Sequence, residues 1–339
     1  MLPGAVVPTV AIHVVRGAFV EAASRGADPA ALAARFGLTA AQLADPDARA
    51  GADVMRRIWT ELPELVGAAD FGLAVARRVE VLHVVGYLAR AATTVGDGMR
   101  LALRYQRLVQ TGVTANWTDH RNAVRIALDD RDPRYRLPRH ATEFGVAAAL
   151  YLVRSATGHE LAPISIGFHH PRPADDSEAR RVFRCRLGYA APVTTIEIRR
   201  GDFDLPQRTS DPHLAAVLER HARDLDARLP ADDSYTSRVG RAVDGRLATG
   251  AIDLSSIAAV LGVSPRTAQR RLRDEGTSHQ RIVDDLRREL ALRHLEAGTL
   301  GVQQIAFLLG FSDQSAFNHA FRRWTGKAPG SFRRRTNRE

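Results

Sequence analysis

Apolar residues near the C-terminal end recur every three to four positions. Ile305, Ala306, Leu308 and Leu309 form one amphipathic run, and Phe317, Ala320, Phe321 and Trp324 form a second. Gly310 separates them, supplying the residue that tolerates a left-handed turn, and Ser312 is placed to cap the second helix with its hydroxyl. Two short helices joined by a tight turn make a helix-turn-helix. Gln314, Ser315, Asn318, His319 and Arg322 are left on its outward face, with donors and acceptors suited to base edges in a major groove.

The same pattern occurs 48 residues upstream. Ile257, Ala258, Leu261, Gly262, Ser264 and Ala268 match Ile305, Ala306, Leu309, Gly310, Ser312 and Ala316 at that constant offset. Ser264-Pro265 combines a capping hydroxyl with a proline at the first helical position, a strong helix start. Ala268 and Leu272 face inward, leaving Arg266, Gln269, Arg270 and Arg273 outward. Between the units, residues 279–296 read as one helix, roughly 27 Å long at 1.5 Å per residue. That length can hold two reading heads near the roughly 34 Å repeat of the major groove.

Upstream of residue 231 the pattern predicts helices over 10–23, 29–36, 53–62, 71–79, 84–92 and 97–111. The period then changes to two. Val113, Ala115 and Trp117, then Val124, Ile126 and Leu128, alternate with polar neighbours around a polar 118–122 and predict a β-hairpin. A helix over 140–156, a strand over 163–169, a helix over 175–187, a strand over 194–199 and a helix over 211–229 complete the part. Polar residues 230–234 read as a linker. The expectation is an α+β N-terminal effector/dimerisation domain, 1–230, followed by an all-α DNA-binding domain with two helix-turn-helix units, 231–339.

The C-terminal residues carry a resemblance. Ile305-Ala306, Leu309-Gly310-Phe311-Ser312, Phe317, Ala320-Phe321-Arg322-Arg323, Thr325-Gly326, Pro329 and Phe332-Arg333 resemble the signature of the AraC/XylS family of bacterial transcription regulators over 235–335. The resemblance implies a seven-helix domain reading two adjacent major-groove segments, and activation through contact with RNA polymerase. Gly301 stands where that family more often has a Ser, Thr or Asp cap. Phe71-Gly72-Leu73, Gly86-Tyr87-Leu88, Arg104-Tyr105 and Phe183-Arg184-Cys185 resemble the arabinose-binding type of ligand domain that precedes the DNA-binding domain in one branch of the family.

Charge supports a polyanion partner. Of the net +10, a surplus of six lies from Ala231 onward, 18 Lys+Arg against 12 Asp+Glu. Lys327 is the only lysine, and the arginine bias runs through the whole chain, so it is not by itself a DNA signal. Arg266, Gln269, Arg270, Gln314, Ser315, Asn318 and His319 are the candidates for base readout. Arg273, Arg322, Arg323 and Lys327 are the candidates for phosphate contacts, which position without specifying.

Tyr87, Tyr105, Trp117, Phe144 and Phe168 are candidates to line an effector pocket, although residue type alone favours ordinary core. His169-His170 reads as a strand-end pair rather than a metal site, since neighbours on a strand face opposite ways. The single Cys185 precludes an internal disulfide and a thiolate cluster, and with it the zinc-bound methyl-acceptor variant of this architecture; it is expected to pack in a helix near Val182 and Leu187. No phosphate loop, nucleophile elbow or acid/base carboxylate pair points to catalysis, and no cofactor is implied. No run reads as a membrane span or signal peptide, which places the chain in the cytoplasm. The expected partners are double-stranded promoter DNA, RNA polymerase, a small-molecule effector and a second copy of the chain. Two alternatives remain for the N-terminal domain: dimerisation without a ligand, or a degenerate enzyme.

Overall fold

A computed structural model describes residues 8–78, 83–120, 122–129, 136–229, 235–247, 250–275, 277–297, 300–325 and 328–336. The expected linker, 230–234, lies outside them. The chain divides into two units, Met1–Pro230 and Ala231–Glu339.

The first unit opens with a strand, β1 (Thr9–Ala11), then helices α1 (Ile12–Ser24), α2 (Pro29–Phe36) and α3 (Ala40–Ala44), strand β2 (Arg49–Gly51), and helices α4 (Ala52–Leu65) and α5 (Phe71–Arg77). β1 and β2 pair antiparallel, a three-residue ladder too short to show a period in the sequence. Sequence placed the start of a helix there instead. The bounds of α2 follow from its neighbours: the Asp28 carboxylate accepts from Ala30 N at 3.1 Å and Ala31 N at 3.2 Å, Pro29 fixes the first turn, and Gly37 closes it at φ 68°. Ile12, Val15, Ala18, Ile58, Trp59, Leu62 and Phe71 make the dry centre of this helical part.

Helices α6 (Val84–Ala91), α7 (Val95–Arg104) and α8 (Gln106–Val109) follow. The helix expected over 97–111 is broken at Tyr105, so α7 and α8 are separate. Strands β3 (Thr114–Asp119) and β4 (Ala123–Asp129) form the expected hairpin, with Trp117 opposite Ile126. Next come α9 (Arg139–Thr157), β5 (Ser165–Gly167), α10 (Ser177–Phe183), β6 (Arg186–Gly188), β7 (Thr194–Arg199), α11 (Arg200–Phe203) and α12 (Pro212–Arg228). The sheet order is β3-β4-β7-β5-β6, antiparallel except for the β5–β6 pair.

The sequence reading also fails after α10. The helix expected over 175–187 stops at Phe183, because Arg184 takes up the left-handed conformation at φ 52° and Arg186–Gly188 becomes the parallel edge strand. Cys185 therefore lies between helix and strand rather than within a helix, half-buried, and burial pushes its thiol up to about 11, far from the range of reactive thiols.

The second unit is all helical in its described residues: α13 (Tyr235–Asp244), α14 (Leu254–Val260), α15 (Pro265–Asp274), α16 (His279–Ala297), α17 (Val302–Leu308), α18 (Gln314–Thr325) and α19 (Pro329–Thr336). These are the seven helices the resemblance implied. The 48-residue repeat is longer here than the two helix-turn-helix segments: it carries α13-α14-α15 onto the latter part of α16, then α17 and α18. Tyr235 and Val283, Val243 and Ala291, Leu247 and Leu295, Ile257 and Ile305, and Ala258 and Ala306 are all buried in one core. Each copy is thus a three-helix unit. No helix among the described residues is long and apolar enough to cross a membrane.

Both turns rest on glycine. Gly262 has φ 67° and Gly310 φ 69°, but a side chain would meet them differently. A Cβ at 262 would find nothing within 4 Å, whereas one at 310 would lie 2.9 Å from the Leu247 carbonyl oxygen. Gly262→Ala is expected to cost about 1–2 kcal/mol, the strain of a left-handed alanine alone, and Gly310→Ala measurably more. Urea denaturation of the two variants checks the order.

Candidate nucleic-acid interface

Each helix-turn-helix is closed by the same two backbone bonds. Gly262 N donates to Ala259 O at 3.1 Å and Val263 N to Ala258 O at 3.0 Å; Gly310 N donates to Phe307 O at 3.0 Å and Phe311 N to Ala306 O at 3.0 Å. Ser264 Oγ accepts from Thr267 N at 3.2 Å and starts α15 as its sequence predicts. At α18 the prediction fails in detail. Asp313 Oδ1 accepts from Ala316 N at 2.8 Å, while Ser312 Oγ donates to Asp313 Oδ2 at 3.0 Å, so the cap is the carboxylate and the serine supports it. At α17, Gly301 has no cap to offer; its own N–H donates to Gln304 Oε1 at 2.7 Å.

With Ala268 and Leu272 buried under α15, the side chains of Arg266, Gln269, Arg270 and Arg273 stand exposed on its other face. With Phe317, Ala320 and Phe321 buried under α18, Gln314, Ser315, His319 and Arg322 stand exposed and Asn318 is half-buried beside them. Among the described residues no carboxylate pairs with Arg266, Arg270, Arg273 or Arg322, so four guanidinium groups are presented to solvent with their charge unspent. Arg323 differs: its Nη2 lies 3.0 Å from Asp284 Oδ2 on α16. Lys327 lies outside the described residues.

One contributor went unnoticed in the sequence. Arg287, on α16, donates from Nε to Leu309 O at 2.8 Å and from Nη2 to Gly310 O at 2.9 Å, and its Cζ sits 4.4 Å from the centre of the Phe311 ring. The repeat itself held the signal, since the matching position in the first copy is the apolar Val239.

The five aromatic residues singled out for an effector pocket do not surround one. Tyr87 is exposed on α6. Tyr105 is buried, its hydroxyl donating to Glu219 Oε1 at 3.3 Å. Trp117 stands edge-on to Phe203 at 5.6 Å, Phe144 packs on Trp59 at 5.0 Å, and Phe168 forms a three-ring cluster with His170 and Tyr189. A cleft lined by Val10, Met55, Arg56, Trp59, Gln110 and Leu137 includes none of the five, and its volume of about 20 Å³ suits a water molecule or two.

His169 and His170 follow β5 rather than ending it, and both are buried. His169 Nδ1 meets Thr194 Oγ1 at 3.0 Å and its Nε2 meets Leu137 O at 3.1 Å, so both ring nitrogens serve the fold. His170 Nδ1 donates to Pro171 O at 2.9 Å, and its Nε2 faces the wholly buried Glu143, 3.8 Å from Oε1. His140, on α9, approaches the other oxygen of Glu143 at 3.9 Å. Burial holds His140 and His170 down to about 4 and pushes Glu143 up, with Arg139 opposing at 2.8 Å.

The family described as the arabinose-binding domain of AraC transcription regulators, N-terminal, matches residues 26–207, and a helix-turn-helix domain family matches residues 257–335. The chain belongs to the AraC family of transcription regulators. Its AraC-family relatives include the ornithine utilization regulator of Pseudomonas aeruginosa, 29% identical over 280 residues that span 79% of this chain and 80% of that one. The HTH-type transcriptional regulator VirS of Mycobacterium tuberculosis is 29% identical over 314 residues, 91% of each chain. Among solved structures, the transcriptional regulator CdpR of Pseudomonas aeruginosa aligns over 89% of this chain and 95% of its own, at 21% identity and a TM-score of 0.39. DNA binding in the service of transcription regulation is thus the activity to which the helix-turn-helix part of the chain belongs.

Proposed function

We propose that this regulator reads two adjacent major-groove segments of promoter DNA, α15 entering one and α18 the next. The observation that carries this is the pair of matched exposed faces. Arg266, Gln269 and Arg270 on one helix and Gln314, Ser315, Asn318 and His319 on the other have the hydrogen-bonding groups for base edges. Arg273 and Arg322 flank them as phosphate contacts, joined by Lys327, and by Arg323 once it exchanges Asp284 for a phosphate oxygen. The chain acts in the cytoplasm as a homodimer through its N-terminal domain and activates transcription by touching RNA polymerase, a reading supported by the family resemblance. A small effector in the N-terminal domain shifts how well both heads dock, through its different affinity for two packings of the chain.

Selection of bound sequences from random DNA at two salt concentrations tests the core of this reading. Two preferred blocks about one helical turn apart are expected. Arg270→Ala should cost about 1–3 kcal/mol of binding and relax one base position in the first block. Arg322→Ala should weaken all sequences alike and lower the salt slope by about one. Binding with no preferred sequence, lost as salt rises, would reduce the arginines to phosphate holders.

A second reading of that domain is dimerisation without a ligand. A thermal-shift screen separates the two, because only a ligand that binds the folded form raises its melting temperature.

A further inference from the structure

The repeat makes the two reading heads nearly interchangeable in their core, so the places where the copies differ are informative. In the first copy, Glu275 at the end of α15 accepts from Tyr235 N at 2.8 Å and from Thr236 N at 2.7 Å, tying the recognition helix to the start of α13. The same two positions in the second copy are Arg323 and Asp284, joined at 3.0 Å. Chemistry has been exchanged there while the tie has been kept.

The turn is different. Where the first copy has Val239, an apolar residue in the core, the second has Arg287, whose guanidinium grips the two carbonyl oxygens of the turn. Those carbonyls belong to Leu309 and Gly310, the last residue before the turn and the left-handed glycine itself. The same guanidinium lies over the Phe311 ring, and that ring touches Phe317 at 5.6 Å and Trp324 at 6.0 Å on α18. One side chain of α16 therefore holds both the turn and the ring through which the turn packs on the recognition helix. Fork-shaped, with fixed donors, arginine suits this bidentate grip in a way lysine does not.

We propose that Arg287 is a positioning residue for DNA reading by the second head: it fixes the angle of α18 against α16 and so determines how sharply the second block of the site is read, without itself touching DNA. This rests on the two-headed reading above. Among the described residues no side chain clamps the turn of the first head in this way, so loss of Arg287 should act on one block and spare the other. That selectivity is what a general loss of stability would not produce.

The test uses the full chain and four duplexes: the selected site, the site with the first block scrambled, with the second block scrambled, and with both. Scrambling either block is expected to weaken the wild type by at least about tenfold. Arg287→Met, which keeps the stem and removes the fork, is expected to keep its dependence on the first block, while its dependence on the second falls below about threefold. Arg287→Lys, able to reach one carbonyl, should fall between.

Equal sensitivity to both blocks in Arg287→Met, or equal loss of sensitivity to both, would overturn the proposal. If Arg287→Met does not fold, Arg287→Lys carries the same comparison, and a lysine variant with both dependences intact would overturn it too. A wild type indifferent to the second block would instead defeat the two-headed reading on which the proposal stands, before any variant is made.

Discussion

Lowering the pH from 7.5 to 5 should destabilise the N-terminal unit by about 3 kcal/mol, far more than the surface charges of a small domain ordinarily contribute. Four histidines are responsible. Burial holds His13 down to about 3, and His83, His140 and His170 down to about 4, from an ordinary 6.5. His13 and His83 stack at 4.9 Å, His83 also disfavouring a charge on the His13 ring, and Arg49 adds repulsion to both. Between pH 6.5 and 4 the unfolded chain binds protons that the folded chain refuses. Stability is therefore full above 6.5 and lost as the pH falls through that window. Each histidine contributes roughly 1 kcal/mol at pH 5 once solvent screening is allowed for. Glu143 works the other way, since burial raises its pKa and folding is favoured as it takes a proton, which offsets part of this loss. Urea midpoints at the two pH values, followed by fluorescence of the fully buried Trp59, measure the difference. A midpoint that does not move would show that water reaches these rings.

Phe321→Ala should cost the C-terminal unit about 3–5 kcal/mol, a large share of the 5–15 kcal/mol that holds a domain folded. Its ring is fully buried, 5.7 Å from Phe317 and 5.8 Å from Phe332, so three helical segments lose a common anchor: both turns of α18 that face the core and the start of α19. Little can refill the space, because the neighbours are themselves rings with few rotamers. The melting transition of this unit should fall while that of the N-terminal unit stays, as two-transition calorimetry would show. A loss under 1 kcal/mol would mean that α19 collapses into the cavity.

Where a chain carries its own start and stop signals, its elements were legible. Asp28-Pro29 and Gly37 gave α2 its observed ends, and Ser264-Pro265 with Gly262 gave the first turn and the start of α15. Three of the four three-residue strands were not legible, since β1, β2 and β6 are held by partners distant in sequence and have no room for a period. The helix over 175–187 overran because nothing in the arginine at 184 announces a left-handed residue. At the interface, the exposed faces of α15 and α18 followed from helical spacing alone. The Asp313 cap and the Arg287 clamp did not, because each depends on which of two neighbouring polar groups, or which of many arginines, geometry brings to a backbone atom. The aromatic residues chosen for a pocket had only their type to recommend them, and type does not converge.

The two copies of the three-helix unit follow one another in the same chain sense, joined by α16, and their exposed faces are not alike: arginine-rich on α15, amide- and imidazole-bearing on α18. A protein that paired two identical heads about a twofold axis would see the same text from either strand. This one would not. The DNA-binding unit would lie along the duplex with a front and a back, so inverting its site on a promoter would exchange which head lies upstream, and transcription would respond to the orientation of the sequence as well as to its presence.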